Sequence, residues 1–119
     1  MIIKKINWIG LEEAIITVSD GNIDIDVYAH PFSKKLGVKL KEPLLCFDPE
    51  DIMYTNESNP YVVKIDNNFK QLILGKVVDI DKSIVEVGKI KIDLDGMIPK
   101  DINNGNFIVF KCNRLDIME

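Results

Sequence analysis

The side chains best suited to nucleophilic or metal chemistry in this sequence are one histidine and two cysteines, and they are widely separated. Cys46 and Cys112 form no CxxC pair, and His30 is the only histidine, so a zinc site would require distant residues to converge. A Cys–His nucleophilic pair would require His30 to activate a thiol, but His30 precedes a proline at the end of a strand-like segment. We therefore predict no metal, no cofactor and no enzymatic activity.

Cysteine use also bears on the compartment of the protein. Free cysteines are usually buried, and two cysteines without the spacing of a disulfide-rich domain are typical of a protein in a reducing environment. We therefore predict buried free thiols, with a disulfide between them as the alternative. Charge interrupts the first residues too early for a signal peptide, and no apolar run approaches the length of about 20 residues that spans a membrane. The sequence therefore predicts a cytoplasmic protein without a membrane segment.

Carboxylate side chains recur two residues apart along the chain. Two carboxylates on one face of a strand could hold a divalent cation or act in acid–base catalysis. Each pair flanks an Ile or Leu, which is the pattern of the solvated face of a half-buried sheet, and we favour that interpretation. The pairs are Asp24 and Asp26, Asp79 and Asp81, and Asp93 and Asp95.

A predicted hairpin positions the first of these pairs. Ser19 to Asn22 is a turn signal, and in residues 23–29 the apolar side chains alternate with Asp24, Asp26 and Tyr28. An exposed aromatic beside charges is a common anchor for a protein partner, so we predict a binding face on this strand and the loop after it, together with the only arginine. The predicted binding residues are Asp24, Asp26, Tyr28, His30, Phe32 and Arg114.

The remaining elements predict an all-β fold. Residues 69–117 contain one strand-like run after another, which points to one or two small barrel-like antiparallel sheets. At most one or two short helical turns are expected, one of them from Asp48 as N-cap to Tyr54. Residues 1–119 are predicted to form a single compact domain, with two β subunits and a boundary near 55–60 as the alternative. The predicted core contains Ile16, Val18, Ile23, Ile25, Val27, Leu40, Leu74, Val87, Ile92, Leu94 and Ile108.

A short pattern is repeated in the two halves of the chain. Pro31 and Pro99 are each followed by five residues and a glycine, Gly37 and Gly105, after which a strand is predicted. This could be a duplicated β unit, or the same connector geometry could occur independently at two places in the chain. The alternation of apolar and polar residues before Pro31 does not align with that before Pro99, so we favour the second interpretation.

The second half resembles the strand layout of an OB-type barrel. Gly75 lies inside a long first strand, and residues 98–106 resemble the connector before a closing strand. OB barrels commonly bind oligonucleotides, so this resemblance implies binding of single-stranded nucleic acid as an alternative function. The composition, rich in Ile, Lys and Asn, resembles that of small proteins of low-GC bacteria.

The charge of the chain disfavours that alternative. The formal net charge is −4, and Arg114 is the only arginine among 15 basic residues, whereas nucleic-acid binding depends on Lys and Arg that neutralise phosphates. Acidic pairs would instead steer a basic protein toward the surface. We therefore predict a non-enzymatic protein-interaction module, such as a regulator or an immunity-type protein that binds a basic partner.

Overall fold

The computed structural model describes residues 1–66 and 69–118, and within them every regular element is a strand. No helix of these residues is long and apolar enough to cross a membrane. In chain order the strands are β1 (Ile2–Trp8), β2 (Ala14–Ser19), β3 (Asp24–Ala29), β4 (Leu44–Phe47), β5 (Glu50–Thr55), β6 (Tyr61–Lys64), β7 (Gln71–Asp79), β8 (Ile84–Val87), β9 (Ile90–Asp93), β10 (Phe107–Cys112) and β11 (Arg114–Asp116).

The strands form one mixed sheet in the order β1-β2-β3-β11-β4-β9-β8-β7-β10-β5, and β6 pairs with the first half of β7. The all-β prediction is confirmed. The predicted antiparallel, barrel-like arrangement is wrong in two respects. The β3–β11 and β4–β9 pairs are parallel, and the terminal strands β1 and β5 do not pair with each other in the described part of the chain.

One local prediction is also corrected. The expected helical turn after Asp48 is strand β5, which pairs with β10. Asp48 and Asp51 have φ angles of 48° and 52°, in the left-handed region that a right-handed helix excludes. Strand β4 begins directly after Pro43 and lies in the middle of the sheet between β11 and β9. The predicted boundary near 55–60 falls between β5 and β6.

The core forms along one face of the curved sheet from the alternating apolar residues. Every predicted core residue is buried except Ile23, which is half-buried and packs against the cluster. Leu74 is fully buried but lies outside the main cluster, on the face that it shares with its register partners Tyr61 and Val109.

The structure contains the same three-stranded unit twice. In the first unit, residues 2–40, Val18 pairs with Ile3 on one side and with Ile25 on the other. In the second unit, residues 76–108, Val85 pairs with Val77 and Ile92 in the same way. The first strand of each unit shifts register immediately afterwards, between Ile3 and Lys5 and between Val77 and Asp79. The two register shifts are β-bulges at matching positions.

The connectors that carry the repeated Pro–Gly pattern bond to matching places. Gly37 N donates to Ile3 O (2.8 Å), and Ile3 N donates to Val38 O (3.0 Å). In the second unit, Gly105 N donates to Val77 O and Val77 N donates to the carbonyl that follows Gly105, both at 2.8 Å. Both glycines have positive φ, 82° and 88°. The likeness of the halves therefore extends from the connectors to whole units, which agrees with the duplicated β unit that the sequence analysis considered but did not favour.

Each unit pairs with one strand from beyond the other unit. Strand β4 is the next strand after the first unit and pairs with β9, whereas β11 follows β10 at the end of the second unit and pairs with β3. Strands β4 and β11 are antiparallel neighbours. The order β1-β2-β3-β11 therefore matches β7-β8-β9-β4 read from the other side, which is an approximate twofold relation centred between β11 and β4.

The two cysteines lie at this centre. Cys46 of β4 and Cys112 at the end of β10 form a disulfide, with Cα atoms 6.0 Å apart and a sequence separation of 66. The prediction of free thiols is wrong, because the pairing of Cys46 with Leu115 brings the two chain segments together. Neither the spacing nor the composition of the sequence indicates that long-range contact.

Candidate functional site

Two of the predicted binding residues, Asp24 and Asp26, line a groove between β1–β3 and β6–β7, which we call the lysine groove. It consists of two adjoining cavities of about 590 and 400 Å³. The five residues that line both cavities are Lys5, Thr17, Asp26, Lys64 and Gln71.

Asp26 is the most constrained residue of the lysine groove. Thr17 is its register partner on β2 and donates from Oγ1 to Asp26 Oδ1 at 2.7 Å, while Lys64 Nζ lies 2.5 Å from Oδ2. Gln71 is only 3% exposed and donates from Nε2 to the backbone oxygen of Asp26 at 3.0 Å. Burial raises the pKa of Asp26, but the hydrogen bonds from Lys64 and Thr17 outweigh it and hold the pKa below its usual range.

Asp24, the other predicted carboxylate, is also paired within the chain. Lys4 Nζ donates to Asp24 Oδ2 at 2.7 Å, and the hydrogen bonds from Lys4 and Ser19 lower the pKa of Asp24. Lys4 thus neutralises Asp24, as Lys64 neutralises Asp26. The face that the sequence suggested as acidic has each of its carboxylates matched by a lysine.

Tyr28 and Arg114 are brought together beyond the groove. The Tyr28 hydroxyl donates to Glu13 Oε2 at 2.5 Å, and this hydrogen bond raises the pKa of Tyr28. The Arg114 guanidinium lies 4.6 Å from the centre of the Tyr28 ring and donates to both oxygens of Asp116, at 2.7 and 2.9 Å. Arg114 is therefore occupied by an ion pair and a cation–π contact.

The structure separates His30 and Phe32 from these residues. Phe32 is 4% exposed and packs against Trp8, with ring centres 5.5 Å apart. It belongs to the core and is not the exposed aromatic anchor that the sequence suggested, because the loop folds its apolar ring inward. His30 is exposed, and neither residue lines the lysine groove.

Sequence reasoning missed most of the groove. Thr17 could have been found, since it alternates with the buried Ile16 and Val18 on the arm opposite Asp26. Lys64 and Gln71 could not, because they come from β6 and β7, which contact the hairpin without pairing with it, and such a contact leaves no local pattern in the sequence. Phe69, which begins the strand-like series of residues 69–117, is exposed at the groove and meets the Tyr28 ring edge-on at 5.7 Å.

The second unit carries a groove at the matching place, which we call the acidic groove. Its volume is about 720 Å³. Four carboxylates and two ammonium groups line it, and none of Asp79, Glu86 and Asp93 has an ion pair in the described part of the chain. The charged lining residues are Glu42, Asp79, Lys82, Glu86, Lys91 and Asp93.

Turn hydrogen bonds hold two of these carboxylates in place. Asp79 Oδ1 accepts from the backbone N–H of Lys82 at 3.1 Å, and Asp93 Oδ1 accepts from that of Asp95 at 2.7 Å. Within residues 1–66 and 69–118, no group of three or more His, Cys, Asp or Glu side chains is arranged to hold a metal ion.

Comparisons with known protein families, with curated proteins and with solved structures each returned no match. The two grooves must therefore be interpreted from their own chemistry.

Proposed function

We propose that this protein is a non-enzymatic interaction module that binds a basic protein partner through the acidic groove. The observation that carries the proposal is the excess of carboxylates over ammonium groups in that groove, with Asp79, Glu86 and Asp93 free of ion pairs. Unpaired charges that converge on one concavity steer an oppositely charged partner and speed its association. A net charge of −4 acts in the same direction.

The position of the groove supports this proposal over the face predicted from sequence. Asp24 and Asp26 are each neutralised by a lysine of the chain, so a basic partner would have to displace an existing ion pair. Asp79, Glu86 and Asp93 of the acidic groove have no ion pair in the described part of the chain, so a basic partner would reach them without such a displacement.

Titration with a capped oligolysine peptide tests the proposal. Glu86 is the best position to change, because its side chain has no hydrogen bond or ion pair in the described residues and its replacement should leave the fold intact. We expect E86Q to weaken binding about threefold to fivefold and E86K by about tenfold or more, both at low ionic strength. Binding of the native protein should fall steeply as salt is added.

The matched control is Asp101→Lys, which makes the same change of charge on an exposed connector outside the groove. Equal losses for E86K and D101K would mean that only net charge matters, and would overturn the assignment to this groove. Oligolysine binding unaffected by both variants would overturn the proposal itself.

The second candidate function is binding of single-stranded nucleic acid, as the OB-type resemblance implies. The observation in its favour is the lysine groove, where Lys5 and Lys64 line the same cavity as the exposed ring of Phe69. Bases stack on such rings while lysines follow the phosphates. Binding of oligothymidylate below micromolar concentration, with a steep salt dependence, would rank this function first, and we expect no such binding.

We retain the cytoplasm as the proposed compartment, and the Cys46–Cys112 pair makes it testable. Disulfides persist mainly in oxidising compartments, so a cytoplasmic protein should be kept reduced in the cell. Both cysteines are buried, so intact cells should be quenched with acid and the protein alkylated after unfolding in denaturant, and this treatment should label both cysteines. Protein recovered with neither cysteine labelled would contradict this placement.

A further inference from the structure

Lys5 has a different environment from the other lysines of the lysine groove. Lys4 and Lys64 lie within 2.7 and 2.5 Å of Asp24 and Asp26, respectively. Lys5 lines both cavities of the groove and is near enough to Asp26 to lower its pKa, but no carboxylate of the described residues is within ion-pair distance. With the other charges paired, the groove has an excess of one positive charge on a protein of net charge −4.

The backbone explains why Lys5 reaches the groove. Lys5 follows the β-bulge of the first unit, and bulges re-aim the side chains beside them. The matching residue after the bulge of the second unit is Asp79, which lines the acidic groove. In both units, therefore, the residue after the bulge lies at the groove.

The remainder of the lining describes the ligand that would fit. Ile15 and Val62 contribute half-buried apolar surface, and Ile9 and Phe69 contribute exposed apolar surface. A single uncompensated ammonium group suits a monoanion, since a dianion would be repelled by the two aspartates close by. The absence of arginine from the lining disfavours the bidentate recognition of phosphate.

We propose that the lysine groove binds a carboxylate with an apolar body, and that Lys5 holds the carboxylate. This site is separate from the acidic groove of the proposed function, and the two can fail independently. The cavities, of about 590 and 400 Å³, fall in the range of known small-ligand sites. The same chemistry is offered by a free organic acid and by a glutamate flanked by apolar residues in a peptide.

Calorimetric titration of the full chain with two probes separates these sources. The probes are phenylbutyrate and the capped peptide acetyl-Gly-Phe-Glu-Phe-Gly-amide, and the uncharged phenylbutyramide serves as the reference ligand. Tighter binding of the free acid assigns the groove to a small molecule, and tighter binding of the peptide assigns it to an acidic segment of a partner. Absence of binding by both probes at millimolar concentration would overturn the proposal.

Two variants with opposite expected effects test the role of Lys5. Lys5→Gln should weaken binding of the preferred probe about tenfold, the usual contribution of a hydrogen bond between charged groups, and should bring it to the level of the uncharged reference. Asp24→Asn removes the partner of Lys4, so the groove gains a second unpaired cation and binding should tighten about threefold.

Lys39→Gln is the control, because Lys39 is exposed and lies outside the groove. It should bind the probes as the native protein does. Native affinity in K5Q, or equal losses in K5Q and K39Q, would overturn the assignment of Lys5 even if a probe binds elsewhere.

Discussion

The two units have the same backbone arrangement but differ in the charges of their outer faces. Asp26 and Asp93 occupy matching places on β3 and β9. Asp26 is paired with Lys64 and Thr17, whereas the residue of the second unit that matches Thr17 is Ile84, and Asp93 has no ion pair. The comparison shows that bulges, connectors and pairing register specify the unit, while the solvent-facing positions are free to form grooves of opposite charge.

The hairpin turns of the two units differ as well, and there the units touch. Asp20, in the first turn, accepts from the backbone N–H of Lys89 in the second turn at 2.8 Å. It also accepts from its own turn, from Asn22 and Ile23, both at 2.8 Å. The residue that matches Asp20 in the second unit is the buried Val87. One carboxylate therefore stabilises both turns, and the second unit provides no counterpart.

The largest expected effect on stability concerns Gly75, a position that has a counterpart in the first unit but is packed more tightly. Gly75 matches Met1 of the first unit, yet a Cβ at Gly75 would lie 2.6 Å from Val85 Cγ1 and 2.9 Å from Glu86 O. Backbone atoms of β8 cannot move aside without loss of strand pairing. We expect Gly75→Val to cost at least about 3 kcal/mol of unfolding free energy, measured by urea denaturation.

Gly10 provides the comparison for that variant, because a Cβ there would meet only Glu13 side-chain atoms, the nearest at 3.3 Å. Gly10→Ala should change stability by less than about 0.5 kcal/mol. An unchanged urea midpoint for G75V would mean that the side chains and backbone of β8 do not lie close to Gly75 of β7. The two units would then be more alike in packing than the structure indicates.

The next largest effect on stability concerns β4 and β11, the strands through which each unit pairs with the other. The disulfide joins the β4 strand to the segment that leads into β11, and it closes a loop over a sequence separation of 66. Its reduction should lower the unfolding free energy by about 2–4 kcal/mol, because the unfolded chain gains conformational freedom. The C46A/C112A variant should be insensitive to reductant, which isolates the disulfide from side effects of the reducing agent. Equal stability of oxidised and fully reduced protein would contradict this role.

Much of the fold could be predicted because it depends on local patterns. The alternation in residues 23–29 predicted β3 and its core face, and the apolar runs after Phe69 predicted β7 to β10. Strand β5 was mistaken for a helical turn, because Asp48 and Pro49 are residue types that favour the start of a helix. In the structure, Asp48 and Asp51 have positive φ angles, which are incompatible with a right-handed helix.

The candidate sites were less predictable because they depend on long-range pairing. Asp24 and Asp26 were found from alternation alone, but the lysines that neutralise them lie 20 and 38 positions away along the chain. The parallel pairs β3–β11 and β4–β9 have no signature in either strand. Without those pairs, the relation between the two grooves cannot be inferred, and the disulfide depends on the long-range pairing of β4 with β11, which the sequence does not indicate either.

A smaller effect compares the turn glycines, Gly21 and Gly88, which match in register. Both have positive φ, 102° and 62°, so alanine at either position adds strain of about 1–2 kcal/mol. A Cβ at Gly21 meets open space, whereas one at Gly88 meets the Asp20 carboxylate and lies 2.9 Å from Ile23 Cδ1. We expect G88A to be about 1 kcal/mol less stable than G21A in urea denaturation. Equal losses of unfolding free energy in G88A and G21A would show that the contact between the two turns does not stabilise the protein.

The smallest effect is the pH dependence of that contact. Burial raises the pKa of Asp20, but the hydrogen bonds from the backbone N–H groups of Ile23, Lys89 and Asn22 outweigh it and lower the pKa. An aspartate with a lowered folded pKa contributes stability that is present above its unfolded value, about 3.9, and is lost as the pH falls through the folded value. Asp20→Asn should therefore cost about 1 kcal/mol at pH 7, and the difference from the native protein should shrink as the pH falls below about 4.

Urea denaturation at neutral pH and at acidic pH measures this difference, with Asp81→Asn as the control at an exposed carboxylate. The native protein should also lose stability in the same window through Asp26, whose pKa is lowered too. The D20N variant retains that second loss and lacks only the contribution of Asp20, so the two curves should converge at acidic pH and separate toward neutral pH. A gap between native protein and D20N that stays constant with pH would mean that the variant only perturbs the turn sterically. Asp20 would then not be the charge that joins the two units.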